Sequence, residues 1–220
     1  MSQLTSRFAK GLYGITPEWT DASRLLVAIE EACKGGMRVL QWRQKNLSVA
    51  EALPLSLKAK AICHQYNCQF FINDSIQLAL NCNADGIHIG RDDGTIAEIK
   101  KACVEQGQNL LIGVSCYNDI ELAKQAIDDQ VDYLAFGALF SSSVKPDAVA
   151  APLSLFAEAK AYMQHSKVTD NTPALVGIGG IDKTNAASVI EAGADSIAVI
   201  SGLFESEHIQ VTAQHLSNLF

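Results

Sequence analysis

Long apolar runs are missing from this 220-residue chain. None approaches the roughly 20 residues that a membrane-spanning helix needs, so we expect no membrane partner. The first residues, Met1 to Leu4, also lack the apolar core of a secretory signal peptide. Both absences predict a cytoplasmic protein.

Paired cysteine motifs and an excess of positive charge are missing as well. The six cysteines form no Cys-x-x-Cys pair, which predicts reduced thiols rather than a disulfide framework or a zinc site. The formal net charge is -7 at pH 7, so we expect no nucleic-acid partner. Hydrophobic residues make up 48% of the chain, which is enough for a sizeable core.

Short apolar runs and helical patterns alternate eight times along the chain. Apolar runs are typical of parallel strands that are covered on both faces. The order predicts an α/β fold, a single (β/α)8 TIM barrel in one domain, residues 1–220. A doubly wound open sheet is the alternative, but the Gly-x-Gly-x-x-Gly that often follows its first strand is missing. The expected strands are 11–16, 39–45, 68–73, 86–90, 110–115, 133–139, 174–178 and 196–200.

The segments between these strands carry helix signals. Asp21 and Asn118 are the expected N-caps of the first and fifth helices. The phrase Asn-Ala-Asp-Gly at 83–86 is echoed by Gly-Ala-Asp-Ser at 193–196, and both mark a turn from helix to strand. This repeat indicates fold rather than chemistry. The expected helices are 21–33, 48–66, 75–81, 95–105, 118–128, 152–165, 182–192 and 206–220.

Polar residues follow seven of the eight expected strands. In barrels of this class the active site lies at the C-terminal ends of the strands. Single residues have ordinary explanations, since Asp74 or Asp93 can cap a helix and Gly179-Gly180 can form a tight turn. Their joint occurrence favours a functional site. The residues are Gln41, Arg43, Lys45, Asn73, Asp74, His88, Asp93, Ser115, Ser141, Ser142, Ser143, Lys145, Gly179, Gly180, Ser201 and Gly202.

The second strand carries the most unusual pattern. Gln41, Arg43 and Lys45 lie two residues apart, so on a strand their side chains share one face. Buried unpaired charge is costly, and an anion bound on this face would offset that cost. A solvated edge strand explains the same pattern without a ligand.

The residue types indicate two phosphate sites. Asp74 and Asp93 suit Mg²⁺, which takes one or two carboxylates together with substrate phosphate oxygens. Arg43, Lys45 and Lys145 suit the opposite side of a polyphosphate. The polar ends of strands seven and eight suit a second phosphate, held by backbone N–H groups at a helix start. Two such sites fit a transferase that joins two phosphorylated molecules, and no Ser-His-Asp arrangement or nucleophilic cysteine is indicated.

Several phrases of the chain resemble the thiamine-phosphate synthase family over nearly its full length. The resemblance implies a TIM barrel that couples 4-amino-2-methyl-5-(diphosphooxymethyl)pyrimidine to a thiazole phosphate, giving thiamine phosphate and pyrophosphate, with Mg²⁺ required. It also implies that pyrophosphate leaves first, and it makes a homo-oligomer the expected state. The phrases are Gln41-x-Arg43-x-Lys45, Asn73-Asp74, 85–90 with Asp93, Gly113-Val114-Ser115, 137–145, 178–181 and 198–201.

The resemblance also implies a role for each matching residue. Catalysis would fall to Arg43, Lys45 and Lys145, and metal binding to Asp74 and Asp93. The pyrimidine pyrophosphate would be held by Gln41, Arg43, Lys45, Asn73, Ser115 and Lys145. The thiazole phosphate would be held by Ser142, Ser143, Val144, Gly180, Ile200 and Ser201.

Three positions depart from the family pattern. Arg91 stands where Gln or Glu is usual, and 138–141 replaces a run that normally carries Pro. Val144 stands where Thr or Ser is usual, which removes a hydroxyl from the expected thiazole-phosphate loop. This change bears more on affinity for the thiazole phosphate than on the metal site.

Two other functions compete with the synthase. One is an enzyme of the same superfamily that tautomerises the thiazole phosphate without joining it. The other is a non-catalytic thiazole-phosphate-binding regulator. The tautomerase would not need a pyrophosphate–metal site, so Arg43, Asp74 and Asp93 argue against it. The full set of charged strand ends argues, less strongly, against the regulator.

Overall fold

Eight parallel strands close into a barrel in chain order, and β8 pairs with β1. The computed structural model describes residues 7–141, 150–166 and 172–220. The closed barrel confirms the predicted (β/α)8 fold and excludes the open doubly wound sheet. The strands are β1 (Gly11–Ile15), β2 (Val39–Trp42), β3 (Gln69–Asn73), β4 (Gly86–Ile89), β5 (Leu111–Tyr117), β6 (Tyr133–Phe136), β7 (Ala174–Ile178) and β8 (Ser196–Val199).

Helices follow the strands as predicted, with one addition, because the short helix α8 precedes the last expected helix. None of the helices in the described ranges is long and apolar enough to cross a membrane. The helices are α1 (Ala22–Lys34), α2 (Val49–Gln65), α3 (Ile76–Asn81), α4 (Ile96–Gln106), α5 (Ile120–Asp128), α6 (Ser154–His165), α7 (Ala186–Glu191), α8 (Ser201–Phe204) and α9 (Ile209–Ser217).

Side-chain caps fix where most of these helices begin. Asp21 accepts the Arg24 N–H at 3.0 Å, which confirms the predicted cap of α1. The predicted cap of α5 was wrong, because Asp119 rather than Asn118 accepts the first free N–H groups of that helix. Both residue types cap helices well, so the sequence does not separate two neighbours of this kind.

The second strand ends three residues earlier than predicted. At its end the Thr16 hydroxyl accepts the Arg43 N–H at 2.8 Å and donates to the Arg43 carbonyl at 3.1 Å. A side chain therefore takes over the hydrogen bonds that a neighbouring strand would make, and the ladder stops at Trp42. The fifth strand instead runs on to Tyr117, with a register shift against β6 after Ser115.

The barrel has two apolar layers. The outer layer lies between strands and helices, and the inner layer fills the barrel interior. Aromatic rings dominate the inner layer, where the centroids of Phe8 and Tyr133 lie 4.4 Å apart. Gly113 makes room for this packing, because a Cβ there would lie 2.0 Å from the Tyr133 ring. The barrel is therefore a filled core rather than a pore.

Three aspartates tie the starts of β4, β6 and β8 to the strand before each of them. Asp85, Asp132 and Asp195 each directly precede a strand. Their carboxylates accept backbone N–H groups of the preceding strand, at Phe70 (2.7 Å), Ile112 (2.8 Å) and Leu175 (2.9 Å). Their own N–H groups donate to the carbonyls of these same three residues. Two of the aspartates belong to the sequence repeat, which confirms that it indicates fold. Asp132 makes the same bonds in a segment that shares only the aspartate with the repeat.

Substitution of Asp132 tests this arrangement. The carboxylate is almost fully buried and also pairs with Arg7 at 2.8 Å. Asp132→Ala should lower the free energy of unfolding by about 2 kcal/mol or more, because it leaves the buried Ile112 N–H without its charged acceptor. Denaturant unfolding measures this. The exposed Asp129→Ala is the control and should change stability by less than about 0.5 kcal/mol. Equal effects of the two changes would contradict the role given to Asp132.

Candidate functional site

A cavity of about 240 Å³ opens at the C-terminal ends of the strands. Every described residue to which the resemblance assigns a role lines it, although these residues come from strands and loops far apart in sequence. Of the other polar strand-end residues, Ser141 and Gly202 lie outside its lining. Ser142, Ser143, Val144 and Lys145 lie outside the described residues. The predicted residues that line the cavity are Gln41, Arg43, Lys45, Asn73, Asp74, Asp93, Ser115, Gly180, Ile200 and Ser201.

The two cations after β2 each have a carboxylate partner. Arg43 pairs with Glu18 at 2.5 Å, and Lys45 pairs with Asp74 at 2.9 Å. The expectation of cations on an extended strand face was wrong, since both follow the strand end, but both still border the cavity. Glu18 was missed in the sequence, although it stands just after the first strand and completes the set of polar strand ends.

Two carboxylates, Asp74 after β3 and Asp93 after β4, meet at neighbouring strand ends, and neither caps a helix. Ser75 caps α3 and Thr95 caps α4, which excludes the ordinary explanation of Asp74 and Asp93. Asp74 adopts a left-handed backbone with φ of 63°, which aspartate tolerates better than most residues. Asp93 accepts the Gly90 N–H at 3.0 Å.

The electrostatics of Asp74 reflect its surroundings. Partial burial raises the pKa of its carboxyl, the nearby Asp93 carboxyl raises it further, and Lys45 opposes both. A pair of close, partly buried carboxylates is a site that a cation stabilises. Two such oxygen donors, open to the cavity, match the needs of Mg²⁺, which usually completes its shell with water and substrate phosphates. The residues present therefore fit this ion.

A buried chain of hydrogen bonds crosses the barrel beneath the cavity. The Gln41 amide donates to the Tyr13 hydroxyl at 2.8 Å, and the Tyr13 and Tyr133 hydroxyls are 2.7 Å apart. The His88 ring follows, with Nδ1 2.8 Å from the Tyr133 hydroxyl and Nε2 2.9 Å from the Ser115 hydroxyl. The chain thus connects two predicted site residues, Gln41 and Ser115, through three buried rings.

The donors in this chain run in one direction. Among the described residues, the Tyr13 hydroxyl bonds to Gln41 and Tyr133. Because the Gln41 amide is the donor in the first bond, the Tyr13 proton has an acceptor only if it donates to Tyr133. Tyr133 then donates to Nδ1 of His88, and the other ring nitrogen carries a proton that it donates to Ser115. With the Gln41 amide nitrogen facing Tyr13, the reverse direction would leave a buried hydroxyl proton without an acceptor, which costs about 1–3 kcal/mol.

This direction fixes the state of His88 and Ser115. Burial lowers the pKa of His88 to about 4, against a smaller opposing effect of Asp93, so the ring is neutral at pH 7. Ser115 already accepts the Nε2 proton, and its own proton is therefore free to donate into the cavity. The two tyrosines were missed in the sequence, where they are ordinary strand formers. These tyrosines place hydroxyl groups in the interior of a filled barrel, and that is the signal from which they could have been identified.

Glycines shape the side of the cavity formed by β7 and β8. Gly179 and Gly180 have φ values of 96° and 65°, a left-handed region that glycine adopts without a steric cost. A Cβ on Gly180 would lie 2.6 Å from the Ser141 carbonyl oxygen, so the chain packs closely there. Asn185 donates to the Gly180 carbonyl at 2.9 Å and holds the turn. Across from it, Ser201 begins the unpredicted helix α8.

Arg91, one of the departures from the family pattern, lies over an unpredicted cavity residue. Its guanidinium carbon is 5.1 Å from the centroid of the Tyr117 ring. The backbone N–H of Arg91 donates to the Tyr117 hydroxyl at 3.2 Å. Arg91 is exposed, whereas Tyr117 lines the cavity. This arginine therefore packs against the outer side of the site.

Comparison with known proteins identifies the family of the chain. The family described as thiamine monophosphate synthase matches residues 12–203. The thiamine-phosphate synthase of Bordetella avium is 48% identical over 210 residues, which cover 96% of this chain and 94% of that protein. The thiamine-phosphate synthase of Chromobacterium violaceum is 41% identical over 211 residues, with 96% of each chain covered.

Solved structures show the same fold. A thiamine phosphate pyrophosphorylase from Pyrococcus furiosus superposes with a TM-score of 0.80 at 29% identity, covering 97% of this chain and 96% of that one. A 3-hexulose-6-phosphate synthase superposes with a TM-score of 0.70 at 14% identity, covering 94% of this chain and 99% of that one, and this likeness shows the fold alone. From its sequence match over nearly the full length, the chain belongs to the thiamine-phosphate synthase family of transferases.

Proposed function

We propose that the cavity joins the pyrimidine pyrophosphate to the thiazole phosphate, releasing pyrophosphate and giving thiamine phosphate. The observation that carries this proposal is the meeting of two cations, Arg43 and Lys45, with two carboxylates, Asp74 and Asp93, around one cavity. Such a set can hold a polyphosphate from one side through cations and from the other through a bound metal ion.

Mg²⁺ would be held by Asp74 and Asp93, whose carboxylates border the cavity. When bound, the ion would neutralise part of the charge on the leaving pyrophosphate. Lys45 pairs with Asp74 in the present arrangement, so we infer that this ammonium turns toward the phosphates when the metal arrives. Arg43 would likewise exchange Glu18 for phosphate oxygens, because a carboxylate and a phosphate accept the same fork of N–H groups.

The remaining groups would position the pyrimidine. Gln41 lies at one end of the buried hydrogen-bond chain and Ser115 at the other, with a hydroxyl proton directed into the cavity. We propose that this proton is donated to the pyrimidine pyrophosphate. The bond from the pyrimidine methylene carbon to pyrophosphate would break first, with the electron pair leaving on the pyrophosphate oxygen. The thiazole nitrogen would then supply the pair for the new bond, so fixed positions and charges would provide most of the catalysis.

The thiazole phosphate would lie on the side formed by β7 and β8. Gly180, Ile200 and Ser201 border the cavity there. Helix N-termini leave backbone N–H groups without partners in the helix, and such groups bind phosphate. Ser142, Ser143 and Val144 stay predicted members of this site, as Lys145 does for the pyrophosphate. The tautomerase would need no pyrophosphate–metal site, so it leaves Arg43 and the two carboxylates unexplained, and the full set of charged groups argues less strongly against the regulator.

Wider properties of the chain remain proposals of the same kind. All six cysteines are free and buried, which supports a reducing, cytoplasmic location. The eight strands of the barrel extend along the chain from Gly11 to Val199, which supports a single catalytic domain over 1–220. The homo-oligomer stays a prediction.

Removal of one carboxylate tests the metal proposal. Asp93→Ala should lower Mg²⁺-dependent turnover by about 100-fold or more, equivalent to about 2.7 kcal/mol of barrier, while the barrel stays folded. Turnover is measured across a Mg²⁺ titration, with circular dichroism as the check of folding. The neighbouring exposed Asp92→Ala is the control and should stay close to wild type. Full activity of the wild type in excess chelator would overturn the proposal.

A conservative change at Arg43 tests the role of its planar fork. Arg43→Lys should lower kcat/KM by about tenfold or more, because an ammonium cannot hold two phosphate oxygens at once. Steady-state kinetics with varied pyrimidine pyrophosphate measures this. Arg91→Lys is the matched control on the outer side of the site and should have little effect. A twofold change in rate corresponds to less than about 1 kcal/mol of barrier. Arg43→Lys activity within about twofold of wild type would therefore indicate that Arg43 is solvated and does not hold phosphate.

Loss of one hydroxyl tests the buried hydrogen-bond chain. Tyr133→Phe keeps the packed ring but removes the donor to Nδ1 of His88. We expect kcat/KM to fall about fivefold, the equivalent of about 1 kcal/mol for one neutral hydrogen bond. Nitrogen NMR of the wild type should show His88 protonated on Nε2. Tyr162→Phe, whose hydroxyl bonds Asp128 on the outer helices, is the control. A wild-type His88 protonated on Nδ1 would contradict the assigned direction.

A further inference from the structure

Three buried cysteines meet at the end of the barrel opposite the cavity. Cys33 lies near the end of α1, Cys63 near the end of α2, and Cys68 directly before β3. Their sulfur atoms all lie within 4.8 Å of one another. Helix ends and strand starts belong to the N-terminal face of such a barrel, whereas the cavity lies on the C-terminal face. We call these three residues the cysteine cluster.

The turn after α2 brings two of the thiols together. The Cys68 N–H donates to the Cys63 carbonyl at 2.9 Å, and the Asn67 N–H donates to the His64 carbonyl at 3.2 Å. Asn67 is left-handed, with φ of 55°. These features define a Schellman motif, in which the residue after the left-handed position packs against the residue five before it. Backbone hydrogen bonds therefore hold Cys63 and Cys68 in place.

The third thiol comes from a different helix, and the three interact. Hydrogen bonds from the Cys63 and Cys68 thiols lower the pKa of the Cys33 thiol, and the pKa values of Cys63 and Cys68 are raised. Cys33 is therefore the thiol that ionises first. The thiolate is the form of cysteine that binds metals.

We propose that the cysteine cluster binds one soft divalent cation, of the zinc or cadmium class, through three thiolates. Zn–S bonds of about 2.3 Å place tetrahedral sulfur ligands about 3.8 Å apart, so the sulfurs need to approach by about 1 Å at most. Within the described residues, no carboxylate or imidazole belongs to the group, and an all-sulfur set selects soft metals over Mg²⁺. This site is thus chemically distinct from Asp74 and Asp93.

Charge balance favours a divalent ion. Binding exchanges three thiol protons for one M²⁺, so three protons are released and the site carries a charge of -1. Arg38 lies close enough to lower the pKa of the Cys68 thiol, against the larger raising effect of its hydrogen bond to Cys33, and it supplies one positive charge. Glu30 also acts on Cys33, but it is neutralised by Lys34 at 2.8 Å. The surroundings therefore compensate three thiolates around a divalent cation.

The sequence predicted no zinc site because no two cysteines share a short motif. The cluster has ligands 30 and 5 residues apart, drawn from three elements. Spacing rules detect sites whose ligands belong to one local loop. They do not detect a site that forms only when α1, α2 and β3 pack together.

Cadmium titration of the full-length, reduced protein tests the proposal. Cd²⁺ alone is the probe, because thiolate-to-cadmium charge transfer absorbs in the near ultraviolet and carboxylate ligands do not produce this band. We expect the band to saturate at one ion per chain, with three protons released. Cys63→Ala should abolish the band or raise the dissociation constant at least tenfold. Cys82→Ala removes another buried cysteine outside the cluster, and it should bind as wild type does.

A second variant guards against a folding defect. If Cys63→Ala does not fold, Cys33→Ala, at the end of its helix, gives the same comparison. The proposal is overturned if excess Cd²⁺ produces no band in the wild type, or if the band survives in both cluster variants. Thiol counting that finds a disulfide within the cluster, after purification under reducing conditions, also overturns it. Turnover with Mg²⁺ is not a readout, so the outcome is independent of the proposed catalytic site.

Discussion

Closure of the parallel barrel is the constraint on which the rest of this structure depends. Pairing of β8 with β1 leaves no open sheet edge in the barrel and turns all eight C-terminal strand ends toward one face. Parallel strands can achieve this only with a crossover between each pair, which the helices supply. Closure also creates an interior that side chains must fill. Aromatic rings fill its lower part, and polar groups gather where the rings end.

The polar groups in the upper barrel are stable because nearly every one has a partner. Gln41, Tyr13, Tyr133, His88 and Ser115 bond to one another in series, so their burial does not leave several unsatisfied groups. The charged residues are likewise paired. The Arg43–Glu18 and Lys45–Asp74 pairs offset most of the charge that two cations and three carboxylates bring to one rim.

The two ends of the barrel divide stability from chemistry. At the N-terminal face, aspartates such as Asp132 bond backbone groups of neighbouring strands, and the cysteine cluster is buried beneath helix ends. At the C-terminal face, Asp74 has a strained left-handed backbone and close like charges, features that favour binding over stability. The separation allows loops on one face to vary while the other face holds the strands in register.

The sequence by itself determined the order of elements and the identity of most polar residues that line the cavity. Apolar runs separated by helical patterns were enough to predict the barrel, because strand and helix periodicities are local properties. Gln41, Arg43 and Asp74 were found because polar side chains after apolar strands are unusual. Their membership in one cavity also followed, since a barrel places every strand end on one rim.

Only the tertiary structure decided which groups touch. The partners of Arg43 and Lys45, the direction of the Tyr13–Tyr133–His88 chain and the meeting of Cys33 with Cys63 all join residues distant in sequence. The strand end at Trp42 likewise depended on a hydroxyl from Thr16, and the helix at Ser201 on how the chain leaves the last strand. Periodicity records which face a residue occupies, but not what lies opposite it. Contacts of this kind exist only after the barrel has closed.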